Sequence, residues 1–89
     1  MTRRDIRKSR MEIMRRIVAH VGLDPEQFDP PAGTPGIEVE VNLLGSMADG
    51  ISVYVDVLTY DARGSVSIDR QRHVITDEGL VQSISSAFH

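Results

Sequence analysis

No cysteine occurs among the 89 residues, which excludes disulfides and thiolate metal sites and fits a reducing compartment. Tryptophan is absent too. Phe28, Tyr54, Tyr60 and Phe88 are the whole aromatic set, a scant supply for the base-stacking platforms of single-strand binders. No run of 18 apolar residues exists, so no membrane-spanning helix is expected. The stretch "IMRRIVAHVG" near the start contains two arginines and is too short and charged for a secretory leader. The expected location is cytoplasmic. Phosphate loops, dinucleotide fingerprints, nucleophile elbows and the common cation-binding spacings are all missing. Neither a cofactor nor a bound metal is expected, and the chain reads as non-enzymatic.

What is present suits one small domain. Apolar residues make up 40% and charged residues 26% of the chain, which argues against wholesale disorder. A chain of this length buries roughly 60–65% of its unfolded surface, enough for one core and too little for a deep cleft between lobes. Charge is divided unevenly. Residues 1–22 carry seven Lys/Arg against two acids, a net +5, whereas residues 23–89 carry three against eleven, a net −8.

The first segment has a helical period, with Ile6, Ile13, Met14, Ile17, Val18 and Val21 on one side. Thr2 and Asp5 form a capping-box signal, and Gly22-Leu23 a left-handed stop. A helix is therefore expected over residues 3–21. "LDPEQF" reads as a short helical turn capped by Asp24, with Pro25 at its first position. "DPPAGTPG" (29–36) reads as a loop.

From Ile37 onward the period becomes two. Ile37, Val39, Val41 and Leu43 alternate with Glu38, Glu40, Asn42 and Leu44, and "GSMADG" reads as the turn that follows. In the next strand Ile51, Val53, Val55 and Val57 alternate with Ser52, Tyr54, Asp56 and Leu58. "YDARGS" predicts a hairpin with Gly64 at positive φ. Val66 and Ile68 continue the inward face of a third strand, and "DRQR" (69–72) implies that this strand is bulged or broken. Thr76 is expected to cap a final helix, with Asp77 and Glu78 at the positive end of its dipole and Leu80, Val81, Ile84 and Phe88 as its apolar stripe. The expectation is an α+β fold: a three-stranded antiparallel meander in αβββα order, with both helices packed on one face. Residues 1–89 form a single domain, and residues 1–10 are a basic helix start that overhangs the core.

Two surfaces invite partners. The helix start "RRDIRKSR" gathers Arg3, Arg4, Arg7, Lys8 and Arg10, and Arg10 falls near the middle of the apolar stripe. These cations oppose the helix dipole, and they suit water, this protein's own acidic half, a second copy, or phosphates. The outward sheet face is expected to carry Glu38, Glu40, Asn42, Leu44, Tyr54, Asp56, Leu58 and Tyr60. Ser67, Asp69 and His73 join them from the third strand, and Leu44, Leu58 and Tyr60 lie at one end. An acid–base pair of Asp56 with His73 would need a concave site.

The αβββα order resembles that of the double-stranded-RNA-binding domain. The resemblance stops at topology. The last helix opens "TDEGLV", acidic where that family is basic, and "GSMADG" lacks its Gly-Pro-His-type loop. The expected function is a binding module that occupies a partner protein with a basic surface. The contact would be Glu38, Glu40, Tyr54, Asp56, Leu58 and Tyr60, in one form an inhibitor whose carboxylates imitate phosphates. The rival is a nucleic-acid-binding accessory protein acting through Arg3, Arg4, Arg7, Lys8 and Arg10. The meander has two edges, of which the third strand's is guarded by the charges of "DRQR", and edge-to-edge or helix-to-helix pairing leaves room for a homo-oligomer.

Overall fold

A computed structural model describes residues 2–31 and 36–88. Half of the predicted loop 29–36, residues 32–35, therefore lies outside the described residues. The elements are helix α1 (Arg3–His20), a 3₁₀ turn (Pro25–Gln27), strands β1 (Ile37–Met47), β2 (Gly50–Tyr60) and β3 (Val66–Ile75), and helix α2 (Glu78–Ala87). The strands form one antiparallel sheet in the order β1-β2-β3. This is the predicted α+β meander, with the two helices packed together on the Val/Ile side. Among the described residues no helix is long and apolar enough to cross a membrane.

Local chemistry sets both ends of α1. The Thr2 hydroxyl accepts from Asp5 N–H at 3.3 Å while the Asp5 carboxylate accepts back from the Thr2 hydroxyl and backbone, the reciprocal capping arrangement. Those bonds hold the Asp5 carboxyl below its usual range. At the other end, Gly22 takes φ 88°, and the N–H groups of Gly22 and Leu23 bond Ala19 and Val18 carbonyls at 3.1 and 3.0 Å. That double bond is the Schellman stop, and it needs a residue tolerant of positive φ.

Ile13, Ile17 and Val18 of α1 and Leu80 and Ile84 of α2 meet Val39, Ile51, Val53, Val55 and Ile75 of the sheet. Ile75 is the only buried residue of β3. The helices lie over β1 and β2 and leave the β2–β3 hairpin extending past them. Phe28 bridges to Val39 in parallel, so the segment after the 3₁₀ turn runs along the outer edge of β1. The β3 edge has no such neighbour among the described residues.

The third strand departs from its predicted placement in two respects. It runs unbroken from Val66 to Ile75 in regular register with β2. The irregularity lies instead in β1, between Leu43 and Gly45, where Leu44 is the extra residue of a bulge. Strand β1 also continues through "GSM", which leaves Ala48 and Asp49 as the actual turn. The cap of α2 is Asp77, whose carboxylate accepts from Leu80 N–H at 2.8 Å, and not the expected Thr76.

Val66 and Ile68 face away from the helices, not toward them, because Tyr60 pairs with Val66 and Leu58 with Ile68 and directly opposed residues share a face. The loop enforces this parity. Gly64 N–H donates to the Asp61 carbonyl at 3.1 Å and Asp61 N–H to the Ser65 carbonyl at 3.0 Å. Gly64 sits at φ 81°, and the Asp61 carboxylate accepts from Arg63 and Ser65 N–H. Three residues bridge Asp61 and Ser65, a common hairpin length with glycine in the left-handed position. The same parity carries Ser67, Asp69 and His73 to the helix side.

Candidate functional site

The sheet face turned away from the helices is the candidate site. Glu38, Glu40 and Asn42 reach it from β1, and Tyr54, Asp56, Leu58 and Tyr60 from β2. All six predicted contact residues are thus on one surface. Its third rank differs from expectation. Val66, Ile68, Arg70, Arg72 and Val74 arrive from β3, where Ser67, Asp69 and His73 were expected. Leu44 belongs to neither end of this cluster, since the bulge lies opposite Val53 and Ser52 while Leu58 pairs with Glu38.

Register builds the face in rows. Glu40, Asp56 and Arg70 lie side by side across the three strands, as do Asn42, Tyr54 and Arg72. Arg70 donates to both Asp56 carboxylate oxygens, from Nε at 2.8 Å and from Nη2 at 3.0 Å. Its guanidinium also lies over the Tyr54 ring, 4.6 Å from the centroid, where the ring quadrupole attracts a cation. The pair is asymmetric: the Asp56 side chain is 6% exposed and that of Arg70 57%. Arg70 is the lid that makes a carboxylate tolerable on an otherwise packed part of the sheet. The guanidinium bond holds the Asp56 carboxyl below its usual range, although burial pushes the other way. Arg72 Nε donates to the Ser52 hydroxyl at 3.3 Å.

Beyond Asp56 the face turns apolar. Leu58 lies beside Ile68, and Tyr60 beside Val66. Ile68 is 62% exposed, Val66 46% and Tyr60 38%, and Val74 at the other end of β3 is 42% exposed. The Tyr60 hydroxyl donates to Glu38 at 2.9 Å, which pushes the phenol above its usual range and fixes the ring at the edge of the strip. The face holds three carboxylates and two guanidiniums. It is therefore close to neutral, with Asp56 neutralised, Glu38 engaged and Glu40 alone without a side-chain partner among the described residues. The free acidic surface expected from sequence is reduced to that one group.

The opposed placement of Asp56 and His73 removes the acid–base pair considered above. His73 Nε2 lies 3.1 Å from Gln71 Oε1 on the helix side, and Gln71 Nε2 donates to Asp69 at 3.1 Å. Among the described residues no three His, Asp or Glu side chains stand together in a way that could hold a metal ion.

The basic helix start is exposed throughout, and Arg10 has its own partner there. Arg10 Nε donates to the Ala87 carbonyl at 2.9 Å, and its guanidinium lies 5.4 Å from the Phe88 ring centroid. It caps the negative end of α2, and Arg16 reaches the Ser83 hydroxyl at 3.1 Å. Arg3, Arg7 and Arg10 edge an open groove of about 610 Å³ floored by Ile6, Met11, Met14, Phe28 and Val41. No family model matches the chain, nor does any curated protein or solved structure.

Proposed function

We propose that this chain is a protein-binding module that docks a partner through the open sheet face, with the Leu58–Tyr60–Val66–Ile68 strip at the centre and Glu38 and Glu40 on its rim. The carrying observation is the in-register contiguity of those four side chains, two on β2 and two on β3, with Ile68 62% exposed. Single exposed aliphatics need no explanation, whereas a contiguous strip bordered by polar groups marks an interaction surface. Covering a Val or Ile side chain fully is worth roughly 1.5–3 kcal/mol relative to leaving it in water. The partner chemistry that fits is an apolar ridge with a cation positioned for Glu40. Phosphate imitation contributes little to this reading, since Asp56 is already paired and Glu38 already accepts from Tyr60. A role as inhibitor is one form that such occupancy would take.

Differential capture from the native host tests it. Wild-type bait should retain a partner that Ile68→Lys and Leu58→Lys baits lose, and an Arg3→Glu/Arg7→Glu bait should keep it. Affinity of the purified partner for each bait should follow the same order. Equal retention by all baits would refute the proposal.

A second reading is favoured by a separate observation. Arg3, Arg4, Arg7 and Lys8 have no side-chain partner among the described residues, whereas Arg10 and Arg16 further along the same helix are engaged and Arg15 between them is not. Four phosphate contacts through these side chains would give a log–log salt slope of about −3.6 on duplex DNA. Passage through a DNA column at low salt would dismiss it.

A further inference from the structure

We propose that the groove between the first turns of α1 and the edge of β1 is a docking site for an acidic amphipathic helix of a partner protein, separate from the open sheet face. Two observations carry it. The first is the apolar floor. The stripe of α1 starts at Ile6, yet the first residue of the helix to be buried is Ile13. Ile6 and Met11 therefore lie outside the core, and with Met14, Phe28 and Val41 they floor an open groove of about 610 Å³. That volume falls within the range of ligand sites. Unbranched methionines also give a floor that adapts to the shape it meets.

The second observation is charge. Arg3, Arg7 and Arg10 stand on the rim at i, i+4 and i+7 of one helix, a spacing at which like charges repel. No carboxylate is among the described residues that line this groove. Of the two acids on α1, Asp5 is bonded to Thr2, and Glu12 lines the opposite flank of the helix with Ser83 and Ser86. Arg10 Nε is bonded to the Ala87 carbonyl, while the side chains of Arg3 and Arg7 have no partner among the described residues. The complement of such a trough is an apolar ridge with carboxylates beside it, which guanidinium forks match in geometry. Arg3 and Arg10 are separated by about 10 Å of helical rise. A partner helix lying along α1 would thus offer one carboxylate per turn to the rim and its apolar stripe to the floor. A broad anionic surface such as duplex DNA or a membrane fits less well. Past Phe28 the groove continues to Asp29, Glu38 and Glu40, which repel a wide sheet of phosphates and leave room for a narrow ligand.

The chain has no tryptophan, so a blocked peptide of repeating Glu-Leu-Leu-Glu with one terminal tryptophan reports its own binding by fluorescence. It should bind the full chain with a Kd on the order of 0.1 mM. Polyglutamate of equal length and the Lys-Leu-Leu-Lys counterpart should bind at least about tenfold more weakly. Arg7→Glu should weaken the Glu-Leu peptide about tenfold, whereas Arg63→Glu, the same charge change in the β2–β3 loop, should leave it within about twofold. Ile6→Gln/Met11→Gln keeps every charge and alters no residue of the buried core. Its circular dichroism should match the wild type while its affinity for the peptide falls about tenfold. No binding at millimolar peptide, equal binding of polyglutamate, or indifference to Arg7→Glu or to the Ile6→Gln/Met11→Gln pair would overturn the proposal. So would tighter binding of duplex DNA or of phosphatidylglycerol vesicles at the same ionic strength.

Discussion

Replacing Arg70 by methionine tests the central electrostatic statement about the open face. The substitution keeps an unbranched stem over Tyr54 but removes two charge-assisted bonds to Asp56, of 2.8 and 3.0 Å. It leaves a carboxylate whose side chain is only 6% exposed without a counterion. Hydrogen bonds to charged groups contribute roughly 1.5–3 kcal/mol net, and the half-exposed guanidinium is screened by water. The expected loss at neutral pH is about 2 kcal/mol, a fall in melting temperature of about 8–16 °C for a domain of this size. The pH dependence has a definite sign. In the wild type the Asp56 carboxyl lies below its ordinary 3.8, so the pair contributes stability above that value and loses it as pH falls through the lowered one. In Arg70→Met only burial acts, which raises the carboxyl above 3.8, and the variant suffers most when Asp56 is ionised. The gap between the two proteins should be widest at neutral pH and narrow on acidification. Replacing both partners, as Asp56→Leu/Arg70→Met, should recover most of the loss, since an apolar pair of similar volume has no buried charge to desolvate. Urea melts across the pH range read all three proteins. A loss independent of pH, or a double variant no better than the single one, would refute the account.

Gly50→Ala should be far more damaging than Gly22→Ala, by denaturant midpoint. A Cβ on Gly50 would collide with the Ile75 carbonyl, whereas one on Gly22 meets no atom and carries only the positive-φ penalty, about 1 kcal/mol. Ile17→Ala, at a fully buried position between helix and sheet, should cost about 2–5 kcal/mol and leave a chain near its folding threshold.

Local signals carried the parts of the fold that depend on neighbours in sequence. The Thr2–Asp5 box, the Gly22 stop, the Asp24 cap and the Gly64 turn all lie within a few residues of what they control, and all are formed. The period-two runs likewise set the faces of β2 and of β1 from Ile37 to Leu43, but not the bulge at Leu44 or the continuation of β1 to Met47. In β3, Val66 and Ile68 look like core residues, but their face is set by the loop that precedes them. Counting pairs outward from Tyr60 across a three-residue loop would have placed them correctly. The Asp56–Arg70 and Arg10–Ala87 bonds join residues 14 and 77 positions apart. Nothing near either residue in sequence announces its partner. This is also why the face that looked acidic from β1 and β2 alone proves nearly balanced once β3 supplies its arginines.

The two helices shelter only the half of the sheet that contains Ile51, Val53 and Ile75, and the far hairpin around Gly64 is wetted on both sides. Cooperative unfolding energy is thus concentrated at one pole of the molecule. Amide protons from Thr59 to Ile68 should exchange through small local openings, while those near Val53 wait for the whole chain to open. The pole that bears the Leu58–Tyr60–Val66–Ile68 strip is the one that yields first, so a ligand seated there would stiffen the protein where it is softest.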